Sequence, residues 1–239
     1  MSNNWFQFKQ FRIDQGQCAM KVTTDACIQG AWTPLPKKTK RILDIGTGTG
    51  LLALMMAQRT ENTLIDAVEY DATAAEQAKE NVSHSPWSNR ITVQCNDIRA
   101  YDSSEKYDAI ICNPPFFDNA LLGPKHEKNT ARHTIALTKE ELAMAVVKHL
   151  SPEGHVSILL PVPEYRYWLN VAEGYGLFPR AILLIRHRPG SEAKRIVAIM
   201  SLSNTGYGAV EHQLTIMQED GTYTEQFREM LRPFYLNIP

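Results

Sequence analysis

Asn113-Pro114-Pro115-Phe116, inside the stretch YDAIICNPPFFDNA, combines residue types that can grip a ligand without any charged group. Each proline lacks a backbone N–H and fixes φ, and Pro114 also keeps Asn113 out of the helical region. An extended Asn113 is therefore expected to close the apolar run that ends at Cys112. It would present its side-chain oxygen and the Pro114 carbonyl as two fixed acceptors, with the Phe116 ring close behind. Read alone, Asn-Pro is also an ordinary exit turn.

A second site lies upstream, in RILDIGTGTGLLAL, a strand followed by a glycine-rich turn and a helix start. Gly46, Gly48 and Gly50 let the backbone turn sharply and approach a ligand closely, while the helix offers its free N–H groups. A dinucleotide fingerprint would require glycine or alanine at Leu51, and that position fails. With Asp44 ahead of it, the GxGxG spacing resembles the first motif of the class I S-adenosylmethionine-dependent methyltransferases. Glu69 follows the second strand, suited to accept from two ribose hydroxyls. Asp97 follows the third, where it could receive an adenine amine. Glu69 also suits NAD, so a nicotinamide-dependent enzyme stays as the rival reading.

The resemblance implies a crevice in which the glycine turn and Asn113 face each other. The methyl on a sulfonium is already a good electrophile, so no metal and no covalent enzyme intermediate is expected. The acceptor is the harder partner, because a purine amine delocalises its lone pair into the ring. Acceptors on its hydrogens, from Asn113 and Pro114, favour the tetrahedral nitrogen of the transition state. The amine sheds its surplus proton after transfer, so none of the seven histidines is needed as a base. Phe116, or Phe117 beside it, can stack on an extruded base.

NPPF alone does not name the acceptor. It resembles motifs of adenine amine methylases of DNA and RNA, of ribosomal RNA guanine N2-methylases, and of enzymes that methylate a release-factor glutamine at N5. FKQF near the amino terminus, QCAMKVTTDACIQGAW and ARHTIALTKEEL together resemble the bacterial tRNA adenine N6-methyltransferases, which modify adenosine beside the anticodon of a valine tRNA. That resemblance implies that Lys21, Thr24 and Asp25 cover the cofactor pocket; the alternative is an extended strand with a helix cap at Asp25. Thr23 stands where the family carries glycine, which puts the local turn in question. The partner implied is a tRNA anticodon loop. Lys125, Lys128 and Arg132 follow the NPPF motif, and Arg186 and Arg188 lie with Arg180, Lys194 and Arg195 around the last strand pair. Both groups are candidates for phosphate contact or for plain solvated surface.

These residues need a scaffold. From Arg41 onward strand-like and helix-like segments alternate, which predicts an α/β fold with a parallel sheet. Asp71 can cap one helix, and Thr138 with Glu141 has the spacing of a capping box for another. FPRAILLIRH and AKRIVAIMSLSN read as two strands joined by a turn at Gly190, so the sheet is expected to close with an antiparallel pair. With the resemblance, the expectation is a doubly wound, Rossmann-like class I methyltransferase sheet of seven strands, mostly parallel with an antiparallel final pair. The tail reads as a further strand and helix with packing roles. One domain spans 1–239, with residues 1–40 as an extension packed on the cofactor side.

Composition sets the outer limits. A chain of 239 residues, 44% hydrophobic and 21% charged, can bury a real core. There is no apolar run of membrane-spanning length and no secretory pattern, so a cytoplasmic address is expected; a monomer is favoured, with the oligomeric state left open. Cys18, Cys27, Cys95 and Cys112 lack CxxC spacing and read as small buried thiols, not as metal ligands. A net charge of −1 argues against indiscriminate coating of nucleic acid while leaving room for a local basic face.

Overall fold

Short apolar runs become the buried strands of one sheet, and the segments between them become its covering helices. The computed structural model describes residues 3–114 and 137–238. A hairpin of β1 (Trp5–Gln7) and β2 (Arg12–Asp14) leads into α1 (Thr24–Trp32), followed by β3 (Arg41–Ile45), α2 (Leu51–Gln58), β4 (Leu64–Glu69), α3 (Ala72–Ser83), β5 (Ile91–Cys95) and β6 (Tyr107–Cys112). Then come α4 (Lys139–His149), β7 (Leu150–Pro161), α5 (Val162–Gly174), β8 (Phe178–Arg186), β9 (Arg195–Ser201), β10 (Val210–Thr215) and α6 (Glu225–Leu231). Among the described residues no helix is long and apolar enough to cross a membrane.

The main sheet has the order β10-β8-β9-β7-β6-β3-β4-β5. Strand β9 pairs antiparallel with both β7 and β8, as the Gly190 turn predicts; the other pairings are parallel. The sheet therefore has eight strands instead of seven. The tail strand β10 joins the free edge of β8, from Val210 beside Ala181 to Thr215 beside Arg186. Leu214 and Ile216 supply the buried contacts that hold it there.

Strand residues alternate between two cores. Ile42, Ile111, Leu159 and Val197 point to α1, α2 and α6, whose Cys27, Leu54, Phe227 and Leu231 complete that layer. Leu43, Ile110, Ile158 and Ala198 point to α4 and α5, meeting Leu142, Val146 and Trp168. Each fully buried aliphatic side chain stabilises the fold by roughly 1.5–3 kcal/mol, so burial on both faces fixes the register strongly. Both expected caps form: Asp71 accepts from the Ala74 N–H, and Thr138 and Glu141 make a reciprocal capping box.

The four cysteines are free, but they are not uniformly buried. Cys27 and Cys112 lie in the core, whereas Cys95 is exposed because β5 is an edge strand with one open face.

Candidate active site

Strand register brings the predicted residues to one edge. Ile45 pairs with Val68 on one side and Cys112 on the other. The next residues out, Gly46, Glu69 and Asn113, thus emerge level, with neighbouring strands about 4.8 Å apart. Cys95 pairs with Glu69, so Asp97 leaves the sheet one strand further along. This is the point at which the strand order reverses about β3, where an open α/β sheet forms its crevice.

Gly46, Gly48 and Gly50 all have positive φ, at 69°, 55° and 81°. A Cβ built at Gly46 or Gly48 would meet nothing within 4 Å, so the turn shows bare backbone to open space. At Gly50 a Cβ would make only ordinary contact with the Ala78 Cβ, at 3.6 Å, so its φ of 81° is what favours glycine there. Beneath the turn, Asp44 is fully buried. Its Oδ2 accepts from the Thr47 hydroxyl at 2.6 Å and from the Ala53 N–H at 3.1 Å, while Oδ1 is buried without a partner. Burial pushes this carboxyl up to about 7, against the pull of those two donors and with the Glu69 charge adding to the rise.

Glu69 accepts from the Gly48 N–H at 2.9 Å and from the Asp71 N–H at 3.0 Å, which holds its carboxylate over the turn. Asp97 is gripped by Arg99, whose Nη2 donates to Oδ2 at 2.6 Å and whose Nε reaches both oxygens. Those bonds hold the Asp97 carboxyl below the usual carboxylate range. Arg99 also reaches Glu141 at the start of α4, so the β5 exit is tied across to the helix that precedes β7.

Asn113 stands at the mouth of β6, followed by the buried Pro114. Its Oδ1 is buried and meets no donor among the described residues, and its Nδ2 lies 3.8 Å from Met20 Sδ. Pro115 and Phe116, like Lys125, Lys128 and Arg132, lie outside the described residues.

The amino-terminal segment crosses this edge. Burial first, then the charges of Glu69 and Asp71, push the Cys18 thiol up to about 11. Met20 touches Asn113. This contact brings the amino-terminal segment to the mouth of β6. Lys21 donates to the Asn3 carbonyl at 3.4 Å. Thr24 opens α1, and Asp25 in its first turn pairs with Arg195 Nε at 3.4 Å. Asp25 is not the cap: Thr23 is, accepting from the Ala26 N–H with φ at −119°. That extended φ does not require glycine, and the Thr23 hydroxyl serves the helix.

Two positioning residues carry no motif. Gln29, fully buried in α1, donates to the carbonyls of Cys112 at 3.0 Å and Ser157 at 3.2 Å, fixing the peptide that leads into Asn113. Asn81 in α3 donates to the Asp14 and Thr49 carbonyls and accepts from the Asp14 N–H, binding β2 to the glycine turn. The available signal was a polar residue inside each helix's buried stripe, which requires a buried partner. Arg186 and Arg188, at the end of β8, lie three strands from Asn113, on the same side of the sheet.

Residues 25–159 match the methyltransferase small domain family. Over their whole length, relatives named tRNA1(Val) (adenine(37)-N6)-methyltransferase are similar: 42% identical in Bacteroides fragilis, covering 100% of both chains, and 44% in Dyadobacter fermentans, covering 99% of both. The relative from Trichodesmium erythraeum is 42% identical over 99% of both chains. Among solved structures, a predicted O-methyltransferase from Agrobacterium tumefaciens superposes with a TM-score of 0.64 at 18% identity, covering 87% of this chain and 96% of that one. A ribosomal-protein methylase from Lactobacillus delbrueckii subsp. bulgaricus gives 0.57 at 17%, covering 80% and 84%. These structural likenesses concern the fold.

Proposed function

We propose a function from the premise that this chain belongs to the methyltransferase small domain family and to the tRNA1(Val) (adenine(37)-N6)-methyltransferases that it matches end to end. It is an S-adenosylmethionine-dependent enzyme that methylates N6 of adenine-37, next to the anticodon of a valine tRNA. The whole chain acts as one domain, with the amino-terminal residues as a cover for the cofactor.

The residues present suit that cofactor. Open space over Gly46 and Gly48 leaves room for a ligand against the backbone. The orphan Oδ1 of Asp44 offers buried negative charge to a cation. Glu69 would hold the ribose hydroxyls and Asp97 the adenine amine, while Lys21, Thr24, Asp25 and the segment before them close the pocket. When bound, S-adenosylmethionine supplies an electrophilic methyl group.

The chain's own work is on the acceptor, and the orphan Asn113 Oδ1 is the observation that carries this reading. Leaving a buried acceptor unpaired costs about 1–3 kcal/mol, so the site is built for a donor that arrives with the substrate. A purine amine brings two N–H donors, one for Asn113 Oδ1 and one for the Pro114 carbonyl. Held this way, its lone pair is freed from the ring and aimed at the glycine turn, and the acceptors stabilise the positive charge that grows on nitrogen. By sequence, Phe116 is the residue suited to stack on an extruded base. The surplus proton leaves to solvent after transfer.

Asn113→Ala tests this assignment. Cofactor affinity should stay near the parent value while tRNA methylation slows by about a hundredfold or more, the loss typical when a hydrogen bond made to transition-state charge is removed. Retention of more than about a tenth of the parent rate would remove Asn113 from the chemistry.

A further inference from the structure

We propose that the β8–β9 hairpin is a docking arm for the phosphate backbone of the RNA substrate, an inference that rests on the tRNA reading above. The registers fix its place. Cys112 pairs with Ile158, Ile158 with Ala198, and Ala198 with Ile182. Asn113 is therefore level with Leu183 in β8, three strand spacings or about 14 Å across the sheet. Arg186 lies three residues further along, so the turn beyond it rises about 10 Å past the rim of the crevice. The hairpin stands as a wall beside the site where the base must enter.

Its charge is suited to phosphate. Arg188 and Lys194 are exposed, His187 lies between them and the strand, and Glu192 is the acidic residue of the turn. The neighbouring acids face other cations: Asp25 pairs with Arg195, and Glu164 with Lys139. The turn is also held in shape. Ser191 Oγ donates to the Arg188 carbonyl at 2.7 Å and accepts from the Arg188 N–H at 3.2 Å. The Asp25–Arg195 contact ties the arm to α1. Cations on a braced turn lose little freedom on meeting a phosphate, which is how backbone contacts set the register of a nucleic acid on a protein. Arg180 does not belong to this group. It lies near the other end of β8, where Phe178 pairs with Ser201, close to Pro34 and Glu153 at the opposite edge of the sheet.

The test measures binding of the full chain to unmodified valine tRNA across a salt series, for the parent, the Arg188→Ala/Lys194→Ala double variant and Arg180→Ala. Two lost phosphate contacts should flatten the slope of log affinity against log salt by about 1.4 to about 1.8, with Arg180→Ala matching the parent. Cofactor affinity should be equal in all three. An unchanged slope in the double variant, with tRNA methylation intact in the parent, overturns the arm and leaves the tRNA reading standing. A parent that neither binds nor methylates tRNA overturns both. Polyglutamate serves as the probe for an acidic protein partner: loss of its binding in the double variant with tRNA affinity unchanged would reassign the arm and overturn the proposal.

Discussion

Asp44 Oδ1 and Asn113 Oδ1 are buried oxygens that meet no partner among the described residues. At Asn113 the orphan is neutral and waits for an N–H. At Asp44 it is ionisable, and its pKa near 7 makes it a sensor of what binds above it. A cationic cofactor favours the charged carboxylate, so binding at low pH must expel a proton. S-adenosylmethionine affinity should therefore strengthen as pH rises from about 6 and level off above about 7, by at most about tenfold per unit. In Asp44→Asn that dependence should vanish; calorimetry of parent and variant across this range checks it, and parallel profiles would contradict it. The same shift has a cost for folding. A carboxyl raised from 3.8 to about 7 in the folded state contributes stability that is complete below 3.8 and is lost as pH rises to about 7. Asp44→Asn should escape that loss. The placement of these residues at one sheet edge was legible because glycine spacing, Asn-Pro and strand-end acids have local signatures. Gln29 and Asn81 were not, because each acquires meaning only from a partner 83 or 67 positions away.

The glycine turn shows how an element carries a function that no side chain performs. Gly48 combines a φ of 55° with open space over its missing Cβ, so the backbone conformation disfavours larger residues and a ligand at the turn would meet any added side chain. In Gly48→Val a branched side chain would occupy the crevice and force the left-handed backbone, at about 1–2 kcal/mol. Cofactor binding should fall below detection by calorimetry, while thermal unfolding shows a drop of only a few degrees. Micromolar binding by the variant would show that the ligand passes elsewhere, and micromolar NAD binding by the parent would overturn the cofactor class. Other elements were legible to different degrees. The capping box at Thr138 and the antiparallel hairpin were visible because their signals are local. The pairing of β10 was not: the tail reads as a strand, but nothing in its own residues says that it adds parallel to β8 instead of folding back as a hairpin. Thr23 was similarly opaque, since whether that position needs glycine depends on a φ that only the helix start fixes.

At the scale of the whole molecule, the parallel sheet aims Asp97, Glu69, the glycine turn and Asn113 at a single crevice. The amino-terminal segment reaches the mouth of β6 through Met20, and the β8–β9 hairpin rises beside the crevice. A base in an anticodon loop is already partly unstacked, so it can be drawn into such a crevice at lower cost than a paired base. The most direct measurement is nucleoside mass spectrometry of tRNA from cells lacking the enzyme, after reaction with the purified chain and methyl-labelled S-adenosylmethionine. Label is expected in N6-methyladenosine, confined to a valine isoacceptor on the 3′ side of the anticodon. Label in methylguanosine of ribosomal RNA, or in a release-factor glutamine, would contradict it.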